Sequence, residues 1–232
     1  MIRFFPTYDF VGLARGKLDD ELKRFAISII QFGKPIFFVP WPMVNRVYSP
    51  KGTIYSKDRT DPVAVKAAWT HLHEIFKSAG ANQYAVWGLH VLPLGSQQSL
   101  NAFKLDPNQF DWVGFAMYTL KDWGQENFLL NLTDAYEWAE LNYPGKPVAI
   151  FEMGRVDTDG QGRWITNAYK IIKRFPRIKM AIYSEYESAG FGRSCGGTLI
   201  SEKAKAKYKE AVADPYFIKG GRQVKEILDF WQ

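Results

Sequence analysis

Short apolar runs recur along this chain, and stretches of helical period lie between most of them. That alternation constrains the fold more than any single motif. Ile2 to Phe5, Pro35 to Val39, Tyr84 to His90, Trp112 to Tyr118, Pro147 to Glu152 and Met180 to Glu185 read as six strands. Lys17 to Phe32 reads as a helix with Leu18, Leu22, Phe25, Ile29 and Ile30 on one face. The clearest helix opens at Asp61-Pro62, where Asp61 can cap it and Pro62 suits the first turn. Its buried stripe is Val65, Ala68, Trp69, Leu72, Ile75, Phe76 and Ala79, and Gly80 ends it. Further helices are expected over Gln125 to Asn142, Arg163 to Phe175, Ser201 to Ala213 and Val224 to Trp231. Strands alternating with helices imply a parallel sheet with right-handed crossovers, hence an α/β fold. No linker or internal repeat divides the 232 residues, so residues 1–232 form one domain. A closed (β/α) barrel usually takes ~250 residues and eight strands. The expectation is therefore a TIM-barrel-like (β/α) barrel, incomplete with about six βα units, unless two strands hide in the long loops.

Composition narrows the function classes. The net charge of +6 is spread over helices, as at Lys203, Lys205, Lys207 and Lys209, and no compact basic block with interleaved aromatics occurs. That pattern predicts solvated helix faces and no nucleic-acid partner. Cys195 is the single cysteine, which excludes an intrachain disulfide and a CxxC metal site. No His, Asp and Glu set has metal-ligand spacing, and no phosphate-binding loop or serine nucleophile elbow is present, so neither metal nor cofactor is expected. No run is long enough to span a membrane, and the N-terminus lacks the apolar core of a signal peptide. A cytoplasmic protein is expected unless a leader has been removed.

The apolar run Lys146 to Gly154 stops at a carboxylate, Glu152, and a glycine follows. In a parallel α/β protein the strand's last residues face the mouth where catalytic groups collect. A carboxylate there can attack a sugar carbon, accept from a sugar hydroxyl or hold a charged ligand, or else Glu152 is an ionised group paired with an arginine such as Arg155 or Arg193. Glu185 is the best candidate for a second carboxylate, ahead of Glu187, Asp9 and Asp122. His90 ends a strand and either binds a sugar hydroxyl or is a buried imidazole, whereas His71 and His73 read as surface. Aromatic residues make up 16% of the chain. Trp41, Trp87, Trp123 and Trp164, with Tyr48, lie at or near strand ends or in loops, where flat rings could stack on sugars or simply fill a core.

Three segments together resemble family 26 of the glycoside hydrolases, mostly β-mannanases. Pro35-Ile-Phe-Phe-Val-Pro-Trp-Pro-Met-Val-Asn45, with Tyr48 and Pro50, is similar to that family's fourth-strand region. Ala67 to Asn82, leading into Tyr84-Ala-Val-Trp-Gly88, is similar to its next helix and fifth strand. Phe110-Asp-Trp-Val-Gly114 through Tyr118, then Lys146 to Gly154, is similar to its sixth and seventh strands. The resemblance covers about Phe10 to Glu185 and implies a TIM barrel that cleaves β-linked polysaccharide with retention. It implies Glu152 as nucleophile and Tyr118 as the tyrosine that orients it. The family's general acid/base is a Glu directly after a His, and by this alignment those positions hold Met43 and Pro42; Asn45 survives. The family's first two strands lie upstream of where the resemblance begins.

A retaining hydrolase needs two carboxyl groups ~5–5.5 Å apart, and losing the general acid costs ~10²–10⁴-fold in rate. Two functions therefore stand. One is a retaining glycoside hydrolase on a β-linked polysaccharide such as mannan, with Glu152, Tyr118 and Glu185 catalytic and Asn45, His90, Trp41, Trp87 and Trp123 binding substrate. The other is a pseudoenzyme, a carbohydrate-binding or structural protein that kept the barrel. A shortened barrel leaves bare sheet edges. A second copy, a partner chain, rearranged terminal segments or residues beyond these 232 would then close it.

Overall fold

The computed structural model describes residues 1–4, 10–45, 61–93, 97–119, 127–155, 160–184 and 201–218. Six strands and seven helices alternate along it. They are β1 (Ile2–Phe4), α1 (Phe10–Ala14), α2 (Asp19–Phe32), β2 (Ile36–Pro40), α3 (Pro62–Ala79), β3 (Ala85–Val91) and α4 (Gln97–Ala102). Then come β4 (Trp112–Thr119), α5 (Phe128–Asn142), β5 (Val148–Arg155), α6 (Gln161–Ile172), β6 (Ile178–Tyr183) and α7 (Glu202–Val212). All six expected strands form, within a few residues of their expected bounds. α1 has no counterpart among the expected helices: five residues are too few to show a helical period, although Phe10 and Leu13 are buried and Val11 and Ala14 pack against the same core. The helix expected over Val224 to Trp231 lies outside the described residues.

Local chemistry explains the sharpest boundaries. The Asp61 carboxylate accepts from the Val63 N–H at 2.9 Å, which caps α3 at its start. Gly80 ends α3 at φ 79, where its N–H returns to the Phe76 and Lys77 carbonyls; a side chain would be strained there. Asn127 caps α5 and Ser201 caps α7 in the same way as Asp61.

The strands run parallel in the order β1-β2-β3-β4-β5-β6. This sheet is curled. β1 and β5 are four strand spacings apart, roughly 19 Å if the sheet were flat, yet Arg3 of β1 bonds the Phe151 carbonyl of β5 at 2.8 Å. Phe37 of β2 meets Phe151 with ring centroids 5.6 Å apart. The architecture is a half-barrel with helices outside, consistent with an incomplete (β/α) barrel.

Two cores result. The larger lies between sheet and helices and takes outward strand residues such as Phe38, Trp87, Leu89, Phe115 and Ile150. The smaller fills the concave face with Val39, Trp112, Ala149 and Phe151, flanked by Phe37, Val86 and Met180. Phe151 is fully buried at its centre, and two glycines make its room. A Cβ on Gly114 would stand 2.3 Å from the Phe151 ring, and one on Gly88 2.8 Å.

The parallel ladders break near the end of β5. Along the β4–β5 ladder Phe115 pairs with Ile150, but Ala116 pairs with Glu152. Along β5–β6, Ile150 pairs with Ala181 and the next residue of β5 to pair is Met153, with Tyr183. Both neighbours skip Phe151, which is the extra residue of a β-bulge.

The packing around Phe151 is sensitive to a single methyl group. Gly114→Ala should destabilise the fold by ~1–3 kcal/mol by overpacking, read from denaturant unfolding, and Phe151→Leu in the same chain should recover part of the loss. An unchanged midpoint for Gly114→Ala would contradict this packing.

Candidate active site

Strand alternation alone would turn Glu152 away from the concave face. Ala149 and Phe151 point inward and Ile150 outward, so period two puts residue 152 outward, toward the helices. The bulge at Phe151 adds one step, and Glu152 comes to lie opposite Ala116, which faces inward with Tyr118. Met153 then returns to the outer core beside Met117. The carboxylate reaches the concave face at the C-terminal end of β5 because of a single extra residue.

There Glu152 is buried, with 6% of its surface exposed. A buried carboxylate is costly unless each oxygen is met. The Tyr118 hydroxyl donates to Oε2 at 2.8 Å. The Arg3 guanidinium donates to Oε1 through one nitrogen and to the Phe151 carbonyl through the other. An arginine on Glu152 is therefore Arg3, from the first strand, which the sequence reading does not name; of the two it does name, Arg193 lies outside the described residues. No sequence signal marks Arg3: it lies 149 positions from Glu152, and only the curl brings the two together.

Burial, and then the charge on Glu152, push the Tyr118 phenol well above its usual range; the Ser184 hydroxyl and Arg3 pull the other way and are outweighed. The phenol thus stays protonated, as a donor must.

The other expected site residues fall into separate places. Met43 packs with Leu92 and Ala116 and against Tyr118, so the position assigned to the acid/base borders the Glu152 cluster. Its backbone is in the left-handed region at φ 53, and Trp41 is at φ 52, an unusual geometry for two bulky residues at a strand end. Asn45 is buried with its amide spent on the backbone: Nδ2 donates to the Leu92 carbonyl at 2.8 Å and Oδ1 accepts from the Leu92 N–H at 2.7 Å. It ties the segment after β2 to the end of β3, which is a structural role. His90 is fully buried on the concave face, edge-on to Phe151 at 5.2 Å.

Trp41 and Trp87 are not brought to the mouth. Trp41 packs edge-on to Phe10 and Trp69 in the outer core. Trp87 sits among Phe38, Trp69 and Phe76, and its Nε1 donates to Asn82 at 3.1 Å. The expectation of stacking faces at these two gives way to a core role, because they occupy outward strand-side positions against α1 and α3. Trp164 also packs inside, with Nε1 donating to Thr119 at 2.7 Å. His71 and His73 are half-buried rather than surface: His71 meets Asp19 at 2.6 Å and His73 lies against Trp87. Glu185, Trp123, Glu187, Asp9, Asp122, Tyr48 and Cys195 lie outside the described residues. Among the described residues no group of three His, Cys, Asp or Glu side chains could hold a metal ion, and no helix is long and apolar enough to cross a membrane.

The same arrangement of strands and helices recurs in known proteins, although no family model matches the chain. Endoglucanase H of Acetivibrio thermocellus is 26% identical over 219 residues, which cover 91% of this chain and 24% of that protein. Among solved structures, a family 26 β-mannanase of Bacteroides ovatus superposes with TM-score 0.65 at 13% identity, over 92% of this chain and 64% of the other. The catalytic domain of a family 26 endo-β-1,4-mannanase from Bacillus sp. JAMB-750 gives 0.67 at 18%, over 88% and 58%. A family 128 oligosaccharide-binding protein of Trichoderma gamsii gives 0.53 at 12%, over 80% and 71%. The fold neighbours thus include family 26 β-mannanases, as the sequence resemblance implies, and at these identities they establish a shared fold. The chain spans about a quarter of its curated relative and under two thirds of these mannanases.

The raised phenol has a consequence for pH. In the unfolded chain Tyr118 ionises near pH ~10, whereas the folded chain keeps its proton. Above that pH the unfolded state binds fewer protons, so stability present at neutral pH is lost as pH rises. Tyr136, Tyr143 (pushed up to about 12) and Tyr169 act in the same sense, all chiefly through burial. Tyr118→Phe should therefore lose less stability than wild type between neutral pH and pH above ~10, measured by urea unfolding. Parallel losses in the two proteins would contradict the assignment.

Proposed function

We propose that this chain is a glycoside-hydrolase-like module that acts on β-linked polysaccharide, such as mannan or glucan, at the C-terminal mouth of its half-barrel. Glu152 is the group that meets the sugar and serves as the nucleophile of a retaining mechanism. The observation that carries this reading is a carboxylate turned into the concave face by a bulge, with one oxygen held by Tyr118 and the other by Arg3. The mannanase fold neighbours and the endoglucanase relative support the substrate class.

The chemistry expected of such a site is specific. A Glu152 oxygen attacks the anomeric carbon as the bond to the leaving oxygen breaks, giving a glycosyl ester; water then cleaves that ester and restores the carboxylate. The first step needs a proton for a poor leaving group, and Met43 cannot supply one. A second reading, binding without turnover, is favoured by that residue: its side chain packs with Ala116 and against Tyr118 at the position assigned to the acid. The oligosaccharide-binding fold neighbour is in keeping with it.

Leaving-group ability separates the two. Dinitrophenyl β-glycosides depart without a proton, so a nucleophile lacking its acid still turns them over. Wild type should release dinitrophenolate from the β-mannobioside or β-cellobioside, Glu152→Gln should not, and release of reducing sugar from mannan or glucan should be weak. Met43→Glu should raise polysaccharide cleavage roughly tenfold or more while leaving kcat/KM for the dinitrophenyl glycoside little changed, because that ratio reports the first step, which needs no acid for this leaving group. Binding of mannan or glucan without release from any dinitrophenyl glycoside would favour the second reading, and neither binding nor release would overturn both.

A further inference from the structure

We propose that Arg3 is a positioning residue of this site, a clamp that fixes the Glu152 carboxylate and the bulge beneath it with one side chain. The proposal rests on the reading of Glu152 as the group that meets the sugar, and extends it to the first strand of the chain.

Three observations meet at this guanidinium. Phe151 is the residue that both neighbouring strands skip, so its backbone stands outside the regular ladders. The Arg3 Nη2 donates to its carbonyl at 2.8 Å. The other nitrogen donates to Glu152 Oε1. A guanidinium presents donors in a rigid fork, so holding the carbonyl also sets the position of the carboxylate bond. Lysine, with a single ammonium, can supply the charge but not this paired geometry.

β1 pairs with β2 through Ile2, Arg3 and Phe4, with Arg3 opposite Val39. Val39 faces the concave core, and so does Arg3. The Arg3 side chain is 24% exposed and that of Glu152 is 8% exposed. Tyr118 holds the other oxygen from β4, next to β5. Glu152 is thus gripped by its neighbouring strand and by a strand four positions away across the curl. The curl of the half-barrel and the aim of the nucleophile are joined by one side chain.

The test uses the full chain with Arg3→Met, Arg3→Lys, Glu152→Gln and the double variant Arg3→Met with Glu152→Gln. With dinitrophenyl β-mannobioside or β-cellobioside as probe, Arg3→Met should lower kcat ~10–100-fold, as expected when a reacting group is misplaced. KM should stay within about twofold, because the clamp does not touch the sugar. Arg3→Lys should recover part of kcat. An unchanged kcat in a folded Arg3→Met protein would overturn the proposal. Should wild type release nothing, the reading of Glu152 as nucleophile fails by itself, and the clamp is judged by unfolding. The two single variants should then be non-additive, with a coupling of roughly tenfold or more in the unfolding equilibrium constant; additive effects would overturn it.

Discussion

One extra residue in β5 governs how this molecule can work. Without the bulge at Phe151, Glu152 would point into the outer core, where a carboxylate among Phe115, Ile150 and Met153 would be untenable. With it, the carboxylate enters the concave face, where Tyr118 and Arg3 meet it. The bulge itself needs support, since it takes Phe151 out of the ladders on both sides. Arg3 gives that support from β1 and pairs with the carboxylate that the bulge has turned. Backbone irregularity, curl and charge are solved together, and the half-barrel holds its shape partly through the same contact.

Beneath the polar mouth the concave face is packed largely with apolar side chains. The Phe151 ring fills it, meeting Phe37 and His90 edge-on, and Gly88 and Gly114 leave the space that any side chain would take. This stacking of an apolar floor under a polar rim follows the usual logic of a parallel barrel, in which the interior is packed and chemistry is confined to the C-terminal ends. Tyr118 belongs to that rim. Burial and the Glu152 charge keep its phenol protonated, so it can donate to the buried carboxylate beside it.

The strands are legible because each is a short apolar run, and α3 because Asp61, Pro62 and Gly80 mark both its ends. Glu152 and Tyr118 can be read as partners from the family resemblance, and the structure brings them within 2.8 Å. Arg3 cannot be read, since a contact across 149 residues leaves no local pattern. The bulge is equally hidden: Val-Ala-Ile-Phe-Glu-Met reads as an unbroken run, and only pairing with β4 and β6 shows that one residue is skipped. Trp41 and Trp87 mislead for a related reason. A ring near a strand end looks the same in sequence whether it faces the mouth or the helices, and here both face the helices. Asn45 keeps its identity within the family motif, yet its amide is occupied by Leu92.

The central claim is that the clamped Glu152 faces a sugar at the C-terminal mouth. A crystal structure of the protein soaked with mannotetraose or cellotetraose tests it most directly. The account predicts a pyranose ring seated over the concave face, with its anomeric carbon toward Glu152 and Met43 beside the leaving oxygen. Oligosaccharide bound elsewhere on the molecule, with the Glu152, Tyr118 and Arg3 cluster untouched, would contradict it.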